Sequence, residues 1–178
     1  KGGAPVILAI GRLNEAKDFS VLIRAFAQLK RSRMARLMIL GEGELRSALE
    51  SLIDELELTE RDVQMPGFVD NPFAYLSRCN LFVLSSRREG LPGALIEAMA
   101  CGAPVVSTDC RSGPAAILEG GRWGRLVPVG DVDALAKAMA EVLDTPRYQL
   151  PDVRARARDF EQDRAVDAYL RLLGVQNA

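Results

Sequence analysis

Six short, mostly apolar runs alternate along this chain with segments of helical periodicity, and that alternation restricts the fold more than any other feature. The runs are PVILAIG (5–11), ARLMILGEG (35–43), DVQMPGF (62–68), CNLFVLSS (79–86), APVVST (103–108) and GRLVPV (124–129), the third being the weakest. Near-continuous apolar character over so few residues marks strands buried on both faces, which belong to a parallel sheet covered by helices. The intervening segments supply the cover. DFSVLIRAFAQLKR (18–31) places Val21, Leu22, Ala25, Phe26 and Leu29 on one face. ELRSALESLIDELEL (44–58) does the same with Leu45, Leu49, Leu52, Ile53 and Leu56. PFAYLSR (72–78), PGALIEAMAC (92–101), GPAAILEG (113–120) and DVDALAKAMAEVL (131–143) follow, the last with Asp131 as a natural N-cap.

Right-handed crossovers then give an α/β fold, a doubly wound Rossmann-like parallel sheet of six strands. The 178 residues make one such domain and leave too little for a comfortable second, so 1–178 reads as a single domain. The tail QLPDVRARARDFEQDRAVDAYLRLLG (149–174) reads as a charged helical region broken near Pro151, with an apolar stripe at Val166, Tyr169, Leu170 and Leu173.

Composition narrows the function. A net charge of −1 with interspersed signs disfavours a nucleic-acid binder, and no apolar run of about 18 residues spans a membrane. The cluster Lys30, Arg31, Arg33 and Arg36 would allow peripheral membrane contact at most, and a solvated helix end is the plainer reading. Three cysteines without Cys-x-x-Cys spacing read as buried thiols in a reducing compartment, so a cytoplasmic location is expected, peripheral at most at the inner face of the cell membrane. No signal peptide is read, and the opening Lys1-Gly2-Gly3, without methionine, reads as a piece of a longer protein. With no histidine, Ser-His-Asp and Cys-His chemistry cannot be completed within this chain.

In doubly wound sheets ligands sit at the carboxyl ends of the strands, so the loops after each strand carry the chemistry. After the first strand, GRLNEAKD offers one glycine, Gly11, and two cations, Arg12 and Lys17, where a dinucleotide-binding protein would show G-x-G-x-x-G. That favours phosphate held by charged side chains over phosphate held by bare backbone; two solvated loop cations are the alternative. After the fourth strand comes SSRREGLPG, where Pro92 suits the first helical position and Gly90 and Gly93 let backbone approach a ligand. Free N–H groups at this helix start would favour an anion by ~0.3–1 kcal/mol, less than the ~1.5–3 kcal/mol of each charge-assisted bond from Arg12 or Lys17. Glu97 lies among Leu95, Ile96, Ala98, Met99 and Ala100 with no cation three or four residues away. A buried carboxylate there needs outside donors such as ribose hydroxyls; the alternative is a solvent-facing stripe. Glu89, at the strand mouth, is placed where a sugar beyond the phosphates would lie.

Glu89 and Glu97 form E-x7-E within EGLPGALIEAMACGAPVV. Together with GRLNEAKDFSVLIRAF (11–26), GEG (41–43), GFV (67–69) and LVPVGD (126–131), this pattern resembles the carboxy-terminal half of a retaining GT-B glycosyltransferase. More narrowly it resembles the nucleotide-sugar-using family four, also described as glycosyl transferases group 1, which makes bacterial polysaccharides and lipid glycans. The resemblance covers nearly the whole chain. It implies that Arg12 and Lys17 bind the donor diphosphate and stabilise the leaving nucleotide. Glu89 would contact the sugar hydroxyls, and the backbone of Gly90, Leu91 and Pro92 would lie against sugar and phosphate. Glu97 would accept from the ribose, and Phe68 and Val69 would meet the base.

The same resemblance implies transfer of a hexose or N-acetylhexosamine from a nucleotide diphosphate sugar to a glycan or lipid-linked acceptor, with no cofactor and no metal. A UDP-sugar is favoured and GDP-mannose is the second candidate. The acceptor would be held by an amino-terminal domain, towards which the tail helix would cross, leaving this chain inactive alone. Two departures stand out: Ala116 in SGPAAIL, where a glutamate is frequent, and Asp18 after Lys17, where glycine or asparagine is frequent and where a carboxylate would weaken the anion potential. Other readings are a nicotinamide-dependent oxidoreductase, disfavoured by the missing glycine fingerprint, a nucleotide-sugar epimerase, and a non-catalytic nucleotide-sugar-binding module.

Overall fold

A computed structural model describes residues 3–172. Its strands are β1 (Val6–Ile10), β2 (Arg36–Leu40), β3 (Val63–Gly67), β4 (Leu81–Leu84), β5 (Val105–Thr108) and β6 (Arg125–Val127). They form one all-parallel sheet in the order β3-β2-β1-β4-β5-β6. The chain therefore leaves β1 towards one edge and returns to its other side at β4, which makes the gap between β1 and β4 the switch point of the sheet. All six strands expected from the apolar runs are present, each shorter than its run because the ends belong to the loops.

The interior strands owe their apolar runs to cover on both faces. Alternate residues Ile7, Ala9, Leu37, Ile39, Leu81, Val83 and Val106 pack beneath α1 (Phe19–Lys30), α2 (Arg46–Glu55) and α6 (Val132–Asp144). Leu8, Leu40, Phe82, Leu84 and Val105 face the other way, towards α4 (Gly93–Ala100), α5 (Pro114–Ile117) and α7 (Val153–Ala157), with the single turn α3 (Phe73–Leu76) beside them. The edge strands read differently. β3 alternates buried and exposed residues and carries Pro66, which an edge tolerates because a donor is needed on one side only. A register shift between Met38 and Leu40 accommodates it.

Helix faces follow the periodicity: Val21, Leu22, Ala25, Phe26 and Leu29 are all buried. In α2 only Leu49 and Leu52 are fully covered, and Leu45, Ile53 and Leu56 are partly so. Asp131 caps α6 as expected, its carboxylate accepting from Ala134 N at 2.9 Å. The tail departs from a single helical region broken at Pro151. A helical turn at Arg147–Gln149 precedes α7, a second turn at Arg158–Phe160 follows it, and α8 (Gln162–Leu172) begins only after extended backbone at Glu161. Within α8, Val166 and Tyr169 lie open to solvent and Leu170 is half-buried; Leu173 of the expected stripe lies outside the described residues, as do Lys1 and Gly2.

No helix among the described residues is long and apolar enough to cross a membrane. Two members of the basic cluster are spoken for: Lys30 pairs with Asp62, and Arg33 with Asp144 at 2.5 Å. The plainer reading of that cluster, a solvated helix end, fits this pairing.

Candidate functional site

The loops after β1 and β4 meet at the switch point, and their two singled-out residues touch. Lys17 Nζ donates to Glu89 Oε1 at 2.6 Å, with the Lys17 side chain 22% exposed and that of Glu89 9%. Ser86 Oγ donates to the same oxygen at 2.5 Å. Both bonds fall on Oε1, and Oε2 accepts no hydrogen bond from the described residues. The Lys17 stem runs beside Gly11, where a Cβ would stand 3.1 Å from Lys17 Cδ and Cε; the lone glycine of the first loop makes room for the lysine. Buried hydroxyls hold the second loop. Thr108 Oγ1, at the end of β5, donates to Ser86 O at 2.6 Å, and Ser85 Oγ donates to Lys17 O at 2.8 Å.

Arg12 stands further out. Its Nε donates to Glu44 Oε2 at 3.2 Å in an exposed pair, which leaves its two terminal nitrogens to an anion. Across the mouth, Phe68 is 77% exposed and Val69 half-buried. With Arg12, Gly41, Glu42 and Pro72 they line a cavity of about 350 Å³ at the ends of β1, β2 and β3. The neighbouring turn is tight: Arg46 donates to Glu42 Oε1 at 2.6 Å and to Met65 O at 3.3 Å, which ties the loop after β2 to β3. Glu42 is held below its ordinary range, chiefly by that hydrogen bond from Arg46.

The turn before α4 matches the expectation in part. Leu91 is exposed, and a Cβ at Gly90 or Gly93 would meet open space, so this backbone faces the mouth without obstruction. The loop after β5 presses on its far side, since a Cβ at Gly113 would stand 2.6 Å from Pro92 Cδ. Pro92, however, is a buried capping residue with ψ 82, and the helix begins at Gly93. The helix start also offers fewer free amides than expected, because Gly93 N–H donates to Leu91 O and Leu95 N–H to Pro92 O.

Glu97 is half-buried, not enclosed in the core, because α4 turns it towards the rim while Leu95, Ala98 and Met99 take the interior. Among the described residues no side chain donates to its carboxylate. The sequence holds one Asp-x-Asp, Asp131-Val132-Asp133, and both carboxylates there have structural partners: Asp131 caps α6 and Asp133 accepts from Gln28 Nε2 at 2.9 Å. Ala116, the first departure, sits on the short α5 with its carbonyl bonded by Arg156 Nη2 at 2.9 Å.

The second departure, Asp18, differs from expectation. It lies buried in left-handed backbone, and its carboxylate accepts from Ser20 Oγ at 2.7 Å and Arg87 Nε at 2.6 Å. Its charge is thus met by a cation and is not aimed at the mouth. Ser85, Ser86, Arg87 and Thr108 escaped the sequence reading. The one signal available was a polar pair, Ser85-Ser86, ending an apolar strand.

Similarity to known proteins follows the same lines. Residues 4–145 match the model of glycosyl transferases group 1. Over 172 residues the chain is 37% identical to the N-acetylgalactosamine-N,N'-diacetylbacillosaminyl-diphospho-undecaprenol 4-alpha-N-acetylgalactosaminyltransferase of Campylobacter jejuni subsp. jejuni, an alignment that takes in 94% of this chain and 46% of that protein. Among solved structures, sucrose-phosphate synthase from Thermosynechococcus elongatus superposes with a TM-score of 0.82 at 27% identity, covering 97% of this chain and 46% of that one. A TarM mutant of S. aureus, in complex with fondaparinux, alpha-GlcNAc-glycerol and UDP, shares the fold at a TM-score of 0.82 and 24% identity, over 96% of this chain and 37% of that one. The chain thus spans less than half the length of each of these proteins. With its α/β, Rossmann-like parallel sheet, its strand-mouth loops and the match over residues 4–145, the chain belongs to the glycosyl transferases group 1 family.

Proposed function

We propose that this chain is the donor-binding part of a retaining, metal-independent glycosyltransferase that moves a hexose or N-acetylhexosamine from a nucleotide diphosphate sugar to a glycan or lipid-linked acceptor. The observation that carries the reading is the contact between Lys17 Nζ and Glu89 Oε1 at the switch point of the sheet. A cation and a carboxylate held together there suit a ligand with an anionic and a hydroxylated part. Lys17, with the outer nitrogens of Arg12, meets the charge that grows on the diphosphate as it leaves, the electrostatic contribution that lowers such barriers most. Glu89 Oε2 accepts from a hydroxyl of the sugar. Glu97 accepts from the ribose, and the base lies against Phe68 and Val69 in the cavity at β1–β3.

UDP-sugars are favoured over GDP-mannose: the Campylobacter relative is named for an N-acetylgalactosaminyl transfer, and the TarM structure contains UDP. The acceptor belongs to residues outside this chain, in keeping with its covering less than half of its relatives. Alone it binds donor and does not transfer. Calorimetric titration with UDP, GDP and NAD, repeated on Glu97→Ala, tests the reading. UDP is expected to bind in preference, and the substitution to weaken it about tenfold, the loss of about one hydrogen bond to a charged group. Preferential binding of NAD would overturn it in favour of an oxidoreductase.

A further inference from the structure

We propose that Asp18 and Arg87 are positioning residues: their ion pair clasps the loop after β1 onto the loop after β4 and so delivers Lys17 to Glu89. The proposal rests on the donor-site reading above. Asp18 has φ 47 and ψ 49, a conformation L-residues adopt at a cost and that asparagine and aspartate tolerate best. Its side chain is 3% exposed, and a carboxylate so enclosed requires a partner. Arg87 Nε supplies it at 2.6 Å, from 69 residues along the chain.

The bond is one of three that run in register between the two loops. Arg87 N–H donates to Ala16 O at 2.8 Å, Ser85 Oγ to Lys17 O at 2.8 Å, and Arg87 Nε to the carboxylate of Asp18. Residues 16, 17 and 18 are therefore each held by residue 85 or 87. Directly beyond this seam, Ser86 Oγ and Lys17 Nζ converge on Glu89 Oε1. Neither Asp18 nor Arg87 forms a hydrogen bond or ion pair with Glu89. They act through the main chain that carries Lys17 and Glu89, and the clasp sets where the lysine ammonium stands.

A double-mutant cycle read by calorimetric titration with UDP tests this. Arg87→Gln leaves the Asp18 carboxylate buried without its cation, and is expected to weaken UDP about tenfold. Asp18→Asn keeps left-handed backbone accessible and removes the charge. Asp18→Asn should therefore weaken UDP by a similar factor, and the double substitution Asp18→Asn with Arg87→Gln no further than either single one, as for two residues that act as one pair. Titrations run well below each variant's melting temperature, so a mere loss of stability leaves the affinity unmoved. If Arg87→Gln fails to fold, Arg87→Lys, which keeps charge and loses the Nε geometry, takes its place with the same expected order. Lys17→Ala provides the reference for the site itself. UDP bound normally by the Arg87 variant but lost by Lys17→Ala would overturn the clasp and leave the donor site standing. A loss in Arg87→Gln with none in Asp18→Asn would overturn it too, since Arg87 would then touch the ligand directly, and so would losses that add in the double variant. No effect from Lys17→Ala would remove the donor-site reading and the clasp with it.

Discussion

The main chain of Gly41 lies so close to that of Gly11 that a Cβ at position 41 would stand 2.0 Å from the Gly11 carbonyl oxygen. Gly41 also has φ 140, where side chains are rarely accepted. The contact joins the mouths of β2 and β1, and it continues into β3 through Gly41 N–H donating to Gly67 O at 2.8 Å. Gly41→Ala is expected to lower the unfolding free energy by about 3 kcal/mol, since backbone on both sides must move. Gly120→Ala, at φ 65 with open space around it, should cost only about 1 kcal/mol. Chemical denaturation of the two variants separates the steric part from the conformational part.

The Lys17–Glu89 pair gives a second prediction, because its partners are unequally covered. Removing the ammonium by Lys17→Ala strands a Glu89 carboxylate that is 9% exposed, with Ser86 as its remaining donor, and should destabilise by about 3 kcal/mol. Glu89→Gln leaves the more exposed Lys17 able to reach water and should cost less. Turnover in the full-length protein should fall about 10²–10³-fold in Glu89→Gln despite its smaller loss of stability, if the carboxylate positions the sugar. Unfolding curves and initial rates on the same two variants make the comparison. Turnover unaffected by Glu89→Gln would show that this carboxylate takes no part in the reaction.

The fold was legible because burial on both faces writes itself into the sequence as near-continuous apolar runs, of which β1 (VILAI) and β4 (LFVL) are the clearest cases. The rule that ligands gather at strand ends then selected the loops holding Arg12, Lys17 and Glu89 without reference to any side-chain contact. What was not legible depends on rotation or on distance along the chain. Whether Glu97 enters the core or the rim is a question of how α4 turns on the sheet, and a helix that is apolar nearly all round does not say. Ser86 and Thr108 look like ordinary strand-end hydroxyls until the loops are assembled. Asp18 looks like a misplaced charge until Arg87, 69 residues away, is beside it. The tail is broken at Glu161 with neither glycine nor proline from 157 to 163 to announce it.

Thiol chemistry provides a third prediction. Cys79 has its pKa pushed up to about 12, chiefly by burial, and burial also raises Cys101 and Cys110 above the ordinary range. Since the thiolate is the reactive form, the folded chain should react slowly with an aromatic disulfide reagent at pH 8. Denaturant should bring all three thiols to the rate of a model cysteine. Rapid labelling of Cys79 in the folded chain would show that the turn over Leu76 opens readily.

A pH dependence of stability is expected from Asp62, at the end of the loop between α2 and β3. Burial by itself would raise its pKa, but the hydrogen bond from Lys30 Nζ, with those from Thr59 N at 3.0 Å and Thr59 Oγ1 at 2.8 Å, outweighs it and the pKa is lowered. A lowered carboxyl pKa means that the unfolded chain binds the extra proton first as the pH drops. The contribution is therefore complete above the unfolded value of about 3.9 and is lost as the pH falls through the folded value beneath it. Asp62→Asn should be less stable than the parent by about 2 kcal/mol at pH 7, the size of hydrogen bonds to a charged group. That difference should hold to about pH 5 and shrink towards pH 3. Urea midpoints measured from pH 7 to pH 3, with unchanged slope, follow it directly. A difference that stays constant across the range would assign the stabilisation to the shape of the Thr59–Asp62 turn and not to the charge of its carboxylate.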